Sequence, residues 1–288
     1  MDNSQTNGEA KCIVTNEASA WEGLRAGTGR QLRRGTLWMA ETLRRVLGRG
    51  RAAEPVEESA AEAEPPLLLL GGPGSGKTAL LFAAALEAAG DGRGPVLFLT
   101  RRPLQSLPNR TRAALDPLRL QKIRFQYPPS TGELLQLLCS AHEARGPTPA
   151  LLLLDGLEEY LAEDLGHQEA AYLAALLLDT AAHFSHRVGP GRGCGLIVAL
   201  QTPEEGDSGD ALQLSLLQRY FPAQCWLHLE APGPGQRCFR ACLEPGGLGP
   251  RAEWSVAFQP DGEMTVTPWP TQACDPSSNK GSSSGGHP

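Results

Sequence analysis

The residues Gly71-Gly-Pro-Gly-Ser-Gly-Lys-Thr78 carry the plainest chemistry in the chain. They spell G-x-x-x-x-G-K-[ST], the Walker A phosphate loop. Gly71, Gly74 and Gly76 let the backbone wrap an anion with no Cβ in the way. The loop N–H groups and the positive end of the following helix face that anion. Lys77 brings a point charge to the β- and γ-phosphates, and the Thr78 hydroxyl is a ligand for Mg²⁺. Gly72, Pro73 and Ser75 complete the loop, with Pro73 stiffening it and removing one donor. The ligands expected are ATP and Mg²⁺. The flanks suit the motif, with an apolar strand at Leu67–Leu70 before it and strong helix formers from Thr78 to Ala89 after it.

A second carboxyl-edge group comes from Leu151-Leu-Leu-Leu-Asp155, a buried strand that ends in an acid and reads as Walker B. Asp155 is expected to hold Mg²⁺ through water, opposite Thr78. The next residue is Gly156, not Glu, which disfavours ATPases that place the catalytic acid directly after this Asp. RecA-type enzymes place it at the end of the strand after the Walker A helix. Here that strand, Val96–Thr100, runs into Arg101-Arg102-Pro103 and carries no acid, so hydrolysis is expected to be slow. Glu158 and Glu159 offer substitutes, but both read as solvent-facing in a loop. The strand Leu196–Leu200 delivers Gln201, an amide placed to sense a γ-phosphate; a plain loop-facing Gln is the alternative. Lys77 and Gln201 are the catalytic candidates.

Strands alternating with helices position these groups. After β-type Val96–Thr100 come Lys122–Tyr127 (strand), Thr131–Arg145 (helix), Ala150–Asp155 (strand), His167–Arg187 (helix), Gly195–Leu200 (strand) and Asp210–Tyr220 (helix). This pattern predicts a mostly parallel sheet with helices on both faces. Four further strands follow, Gln224–Glu230, Arg237–Leu243, Glu253–Gln259 and Glu263–Thr267, expected as a C-terminal antiparallel group with a hairpin turn at Pro260-Asp-Gly262. The ordered core is expected at 65–270. Residues 1–64 read as a basic, then Ala/Glu-rich, extension with no core of its own, although Thr36–Leu47 fits one short amphipathic helix. A disordered basic arm, a transit peptide opposed by Asp2, Glu9, Glu17 and Glu22, and a true start at Met39 are the competing readings of that extension. Residues 271–288 read as a flexible Ser/Gly-rich tail.

The 288 residues are 41% hydrophobic with a net charge of −6, which allows a sizeable core and argues against a generally basic nucleic-acid binder. No apolar run reaches the roughly 18 residues of a membrane span, so no membrane partner is expected. Seven scattered cysteines fit a reducing compartment. Cys238 and Cys242 read as two strand cysteines rather than a zinc knuckle.

Together, Lys77, Thr78, Asp155, Gln201 and the terminal Phe258-Gln-Pro-Asp-Gly262 resemble the ATPase core of the RecA-type recombinase paralogues. The stretches Leu67–Lys77, Leu97–Gln105, Lys122–Pro129 and Leu151–Leu161 resemble more closely the ATPase-like subunits of the vertebrate Shu complex. The resemblance spans about residues 65–288. It implies a RecA-like P-loop fold and a heterodimer with a SWIM zinc-finger protein, to which any zinc would belong. It also implies single-stranded DNA binding with DNA-stimulated ATP hydrolysis, promotion of recombinase assembly in homologous recombination, and a nuclear location. An assembly subunit stabilised by nucleotide, with little hydrolysis, is the alternative. A small-molecule kinase ranks last, since no arginine-rich lid follows Asp155.

The loops that RecA-type proteins use for DNA are acidic here: Glu158, Glu159, Glu163 and Asp164 in one, Glu204, Glu205, Asp207 and Asp210 in the other. They would repel phosphates. The candidate DNA contacts are instead Arg101, Arg102, Arg119, Lys122 and Arg124, in a basic stretch that also holds Arg110 and Arg112, with Phe125 and Tyr127 placed to stack on bases. Phe82-Ala-Ala-Ala85 has the spacing of Phe-x-x-Ala plugs that bind recombinases, but within the Walker A helix it reads as core.

Overall fold

Along Leu67–Gly71 (β1) successive leucines serve two faces: Leu67 and Leu69 enter one apolar cluster, Leu68 and Leu70 the other. A strand buried on both sides belongs in the middle of a helix-covered parallel sheet. The structure, a computed structural model, describes residues 39–48, 65–90, 94–104, 116–161, 167–188, 193–202, 208–230, 237–246, 250–259 and 263–270. The Pro260–Gly262 turn, the tail from 271, and the remainder of the 1–64 extension lie outside them.

The strands are β1, Val96–Thr100 (β2), Ile123–Gln126 (β3), Leu151–Asp155 (β4), Gly195–Gln201 (β5), Ala223–Leu229 (β6), Arg237–Glu244 (β7), Ala252–Phe258 (β8) and Met264–Pro268 (β9). They form one nine-stranded sheet in the order β3-β2-β4-β5-β1-β6-β7-β8-β9. Pairing is parallel from β3 through β6 and antiparallel from β6 to β9. The first of the four C-terminal strands therefore extends the parallel sheet beside β1, and only those after it are antiparallel.

Helices Met39–Gly48 (α1), Lys77–Gly90 (α2), Pro117–Leu120 (α3), Thr131–Cys139 (α4), His167–Val188 (α5) and Ser208–Tyr220 (α6) cover the faces. Residues of α1 and α2 join the cluster of Leu67, Leu69, Phe98, Leu153 and Ala199. Residues of α4, α5 and α6 join that of Leu68, Leu70, Leu99, Leu154 and Leu200. Ser130 caps α4 by accepting from Glu133 N–H at 3.3 Å, and the helix gives way to a 3₁₀ turn at Ser140–Glu143 rather than running to Arg145.

The expectation that residues 1–64 add nothing to the core needs correcting at α1. Leu43, Val46 and Leu47 are at most 1% exposed and pack among α2, β8 and β9. The expected amphipathic helix is there, and its apolar stripe packs beside α2 against β8 and β9. Phe82 and Ala85 are buried in α2, as core packing requires. Cys238 and Cys242 both lie on β7.

Candidate nucleotide-binding site

The end of β1, the loop Gly72–Gly76 and the start of α2 build the phosphate cradle. Lys77 Nζ folds back over the loop, donating to the carbonyls of Gly71 and Gly72 at 2.8 Å each and reaching Ser75 Oγ at 3.4 Å. Burial lowers the Lys77 proton affinity, opposed first by the charge of Glu158 and then by that of Asp155. Gly76 has φ +85°, and a Cβ there would stand 2.2 Å from the Phe258 ring. Only glycine fits beneath that ring.

Thr78 Oγ1 donates to Asp155 Oδ2 at 2.7 Å, across 77 residues of sequence. Burial raises the Asp155 carboxyl, with the Thr78 hydrogen bond pulling the other way. A hydroxyl and a carboxylate meeting beside a buried ammonium is the donor set that Mg²⁺ and a triphosphate need. The cradle fits both: Lys77 would meet the β- and γ-phosphates, and Thr78 and Asp155 would hold the cation.

Gln201 ends β5 in register with Gly71, so its exposed side chain stands at the carboxyl edge directly beside the phosphate loop. Thr202 N–H donates to Gly71 O at 3.1 Å and fastens the two strand ends together.

Glu158 and Glu159 do not project from a solvent-facing loop. They sit on a 3₁₀ turn, Leu157–Tyr160, held against the sheet by buried Leu157 and Tyr160. Glu158 Oε2 accepts from Gln201 N–H at 2.9 Å, and Glu159 lies 3.4 Å from Arg102 Nε. Two acids counted against DNA contact are thus half-buried and engaged at the sheet edge, Glu158 by Gln201 N–H and Glu159 by Arg102. Glu163, Asp164, Glu204, Glu205 and Asp207 lie outside the described residues, as does the Asp210 side chain.

The candidate DNA contacts do not form one surface. Arg101 and Arg102 follow β2 at the carboxyl edge, whereas Arg119 and Lys122 precede β3 at the amino edge. Arg101 is committed to the carbonyls of Pro129 and Glu159. Arg119 pairs with Asp116 at 3.8 Å and lies over Gly90, while Lys122 donates to Ala89 O at 3.2 Å. Arg124 instead borders a cleft of about 170 Å³ together with Arg145 and Arg187. Arg110 and Arg112 lie outside the described residues. Phe125 packs on Phe98 at 5.2 Å between ring centroids, so it belongs to the core and not to a base-stacking surface. Tyr127 stacks on Phe125 yet stays 42% exposed, which leaves one ring face open.

Two further residues meet the cradle: Arg237, which sequence reasoning missed, and Phe258, which it met only as the start of the terminal Phe258–Gly262 motif. Phe258 roofs Gly76, and the Arg237 guanidinium lies 3.5 Å from where a Cβ on Gly74 would stand. The two are cross-strand partners on β7 and β8. Only the antiparallel register brings them to the loop.

A phosphate-loop strand separated from its acid strand by one intervening strand, with an antiparallel extension beyond, defines a RecA-like P-loop ATPase fold. No family model matches the chain. It is 79% identical over 226 residues to human ATPase SWSAP1, covering 78% of this chain and 99% of that protein. It is 67% identical over 249 residues to mouse ATPase SWSAP1, covering 86% and 88%. The chain belongs to the SWSAP1 ATPase family. Among solved structures, the RadB recombinase aligns at 20% identity and a TM-score of 0.49, over 74% of this chain and 92% of that one.

Proposed function

We propose that this chain is a Mg²⁺-dependent ATPase subunit that binds single-stranded DNA and works in the nucleus with a SWIM zinc-finger partner. Its role would be to promote recombinase assembly during homologous recombination and double-strand-break repair. The observation that carries the enzymatic part is the Thr78–Asp155 pair beside Lys77, a nucleotide site complete in its phosphate and metal groups. Membership of a family whose human and mouse members are named ATPases supports the same reading. The DNA, partner, repair and nuclear elements rest on the resemblance to Shu-complex ATPase-like subunits. Among the described residues, no helix is long and apolar enough to cross a membrane.

A second reading, an assembly subunit for which ATP is only a structural ligand, draws on the arginines that stand where RecA-type enzymes carry an acid after β2. The two readings separate on ATP turnover by the complex with its SWIM partner, with and without single-stranded DNA, against Lys77→Ala. The ATPase reading expects a Lys77-dependent rate that DNA raises. A rate no higher than that of Lys77→Ala, with ATP still bound, would establish the assembly subunit.

A further inference from the structure

The carboxyl edge of the sheet holds an acid that the two phosphate-site motifs do not account for. The strand end where RecA-type ATPases carry the water-activating carboxylate is Thr100, in register with Asp155, followed by Arg101 and Arg102. Thr100 Oγ1 donates to Arg102 O at 3.2 Å, so its hydroxyl is engaged with the residues that follow the strand. A carboxylate reaches the same edge from the neighbouring strand instead. Gly156, at φ +74°, reverses the backbone directly after Asp155 and starts the turn that carries Glu158. Glu158 Oε2 accepts from Gln201 N–H at 2.9 Å, so the carboxylate stands between the tips of β4 and β5, the strands that deliver Asp155 and Gln201. Its second oxygen takes no hydrogen bond among the described residues. Gln201 is itself in register with Gly71, which sets the carboxylate beside the phosphate loop.

We propose that Glu158 is the acid that orients the attacking water and takes its proton during ATP hydrolysis. This rests on the ATPase reading above. In the step, the water oxygen bonds to the γ-phosphorus as the bond from that phosphorus to the β-phosphate oxygen breaks. The proton leaves the water for the free oxygen of Glu158 and passes on to solvent, giving ADP and inorganic phosphate.

The surrounding contacts suit a group that must hold its geometry. Arg101 donates to Glu159 O and to Pro129 O, and Arg102 faces the Glu159 carboxylate. Thr131 Oγ1 donates to Tyr160 O at 2.8 Å, and buried Tyr160 donates its hydroxyl to Pro128 O at 2.9 Å. The arginines that occupy the usual place of the acid thus brace the turn that supplies one. A locked supporting shell is what a catalytic carboxylate requires.

The test compares the full chain with Glu158→Gln, Glu159→Gln and Lys77→Ala for ATP turnover, for binding of a fluorescent ATP analogue with Mg²⁺, and for melting temperature. Glu158→Gln keeps an amide oxygen to accept the Gln201 N–H, so its melting temperature is expected to hold. Its nucleotide affinity should stay within about threefold while turnover falls about 100-fold or more, the range for loss of a general base. Nucleotide recovered from Glu158→Gln after incubation with ATP should be ATP, and Glu159→Gln, which keeps an oxygen toward Arg102 and leaves the Glu158 carboxylate in place, should lose far less turnover than Glu158→Gln. Glu158→Asp, which keeps the charge but withdraws it by one methylene, should fall between, and it serves the comparison if the Gln variant does not fold. Turnover unchanged in Glu158→Gln overturns the assignment and leaves the ATPase reading standing. Loss of nucleotide binding along with turnover makes Glu158 a structural tie and also overturns it. An unaltered chain that turns over no faster than Lys77→Ala removes both.

Discussion

Thr78 and Asp155 are the donor pair that suits the site to a cation. Their hydrogen bond joins the start of α2 to the end of β4, and the two side chains would hold Mg²⁺ there, Asp155 through water. Asp155→Asn is expected to abolish the Mg²⁺-dependent part of the rise in melting temperature that ATP produces. The ligand-free protein should melt no lower, because burial already disfavours the Asp155 charge and the amide oxygen still accepts from Thr78. Thermal unfolding with ATP, with and without Mg²⁺, checks both parts. At this scale the sequence was most informative about groups fixed by local spacing. The loop Gly71–Thr78 and the strand-end Asp155 need only a strand, a turn and a helix to be recognised. Glu158 was misjudged because its direction depends on the Gly156 reversal and on a bond to β5, neither of which spacing reveals. Arg237 and Phe258 depend on cross-strand register from the far side of the sheet.

The elements carry their own tests. In α1, Leu43 is fully buried against α2 and the β8–β9 end of the sheet. Leu43→Ala is therefore expected to cost about 2–5 kcal/mol, the range for truncating a buried leucine, measurable by urea denaturation. A change within a few tenths of a kcal/mol would show that α1 does not belong to the core. The Thr36–Leu47 pattern had suggested a helix, yet the surrounding arginines and the Ala/Glu run obscured its burial. Composition averages over a window, whereas three apolar side chains on one stripe suffice to dock a short helix. The basic stretch from Arg101 to Arg124 illustrates the opposite error. Its residues adjoin in sequence, but a parallel crossover from β2 to β3 sends its two ends to opposite edges of the sheet. Charge density along a chain is not charge density on a surface.

On the scale of the whole molecule, the parallel half of the sheet holds the site and the antiparallel half extends the sheet beyond it. On that extension Arg240 Nε donates to Glu253 Oε2 at 3.0 Å, Arg251 Nε lies 3.1 Å from the other Glu253 oxygen, and Arg240 stacks over Trp269 at 4.7 Å. The Arg240 hydrogen bond holds the Glu253 carboxyl below its ordinary value. A depressed folded value means that the contribution to stability is full above the unfolded carboxyl value, about 4.3, and disappears as pH falls through the folded one. Glu253→Gln should therefore lower the melting temperature at pH 7, and the gap should close in acid below the ordinary carboxylate range. A gap that persists there would assign the effect to packing rather than charge. The alternation of apolar strands and helices made the parallel half readable in sequence. The placement of β6 beside β1 was not, because its half-apolar pattern does not separate a parallel neighbour from an antiparallel one.

The most direct test of the account is an equilibrium titration of labelled ATP with Mg²⁺ into the full chain and into Lys77→Ala. Lys77 is the buried cation of the cradle, so saturable binding at one site is expected for the unaltered chain. The variant should bind at least about tenfold more weakly, the loss expected when a hydrogen-bonded charge worth roughly 1.5–3 kcal/mol is removed. Equal affinity in the two proteins would contradict the account, because the nucleotide would then be bound somewhere other than the Lys77 loop.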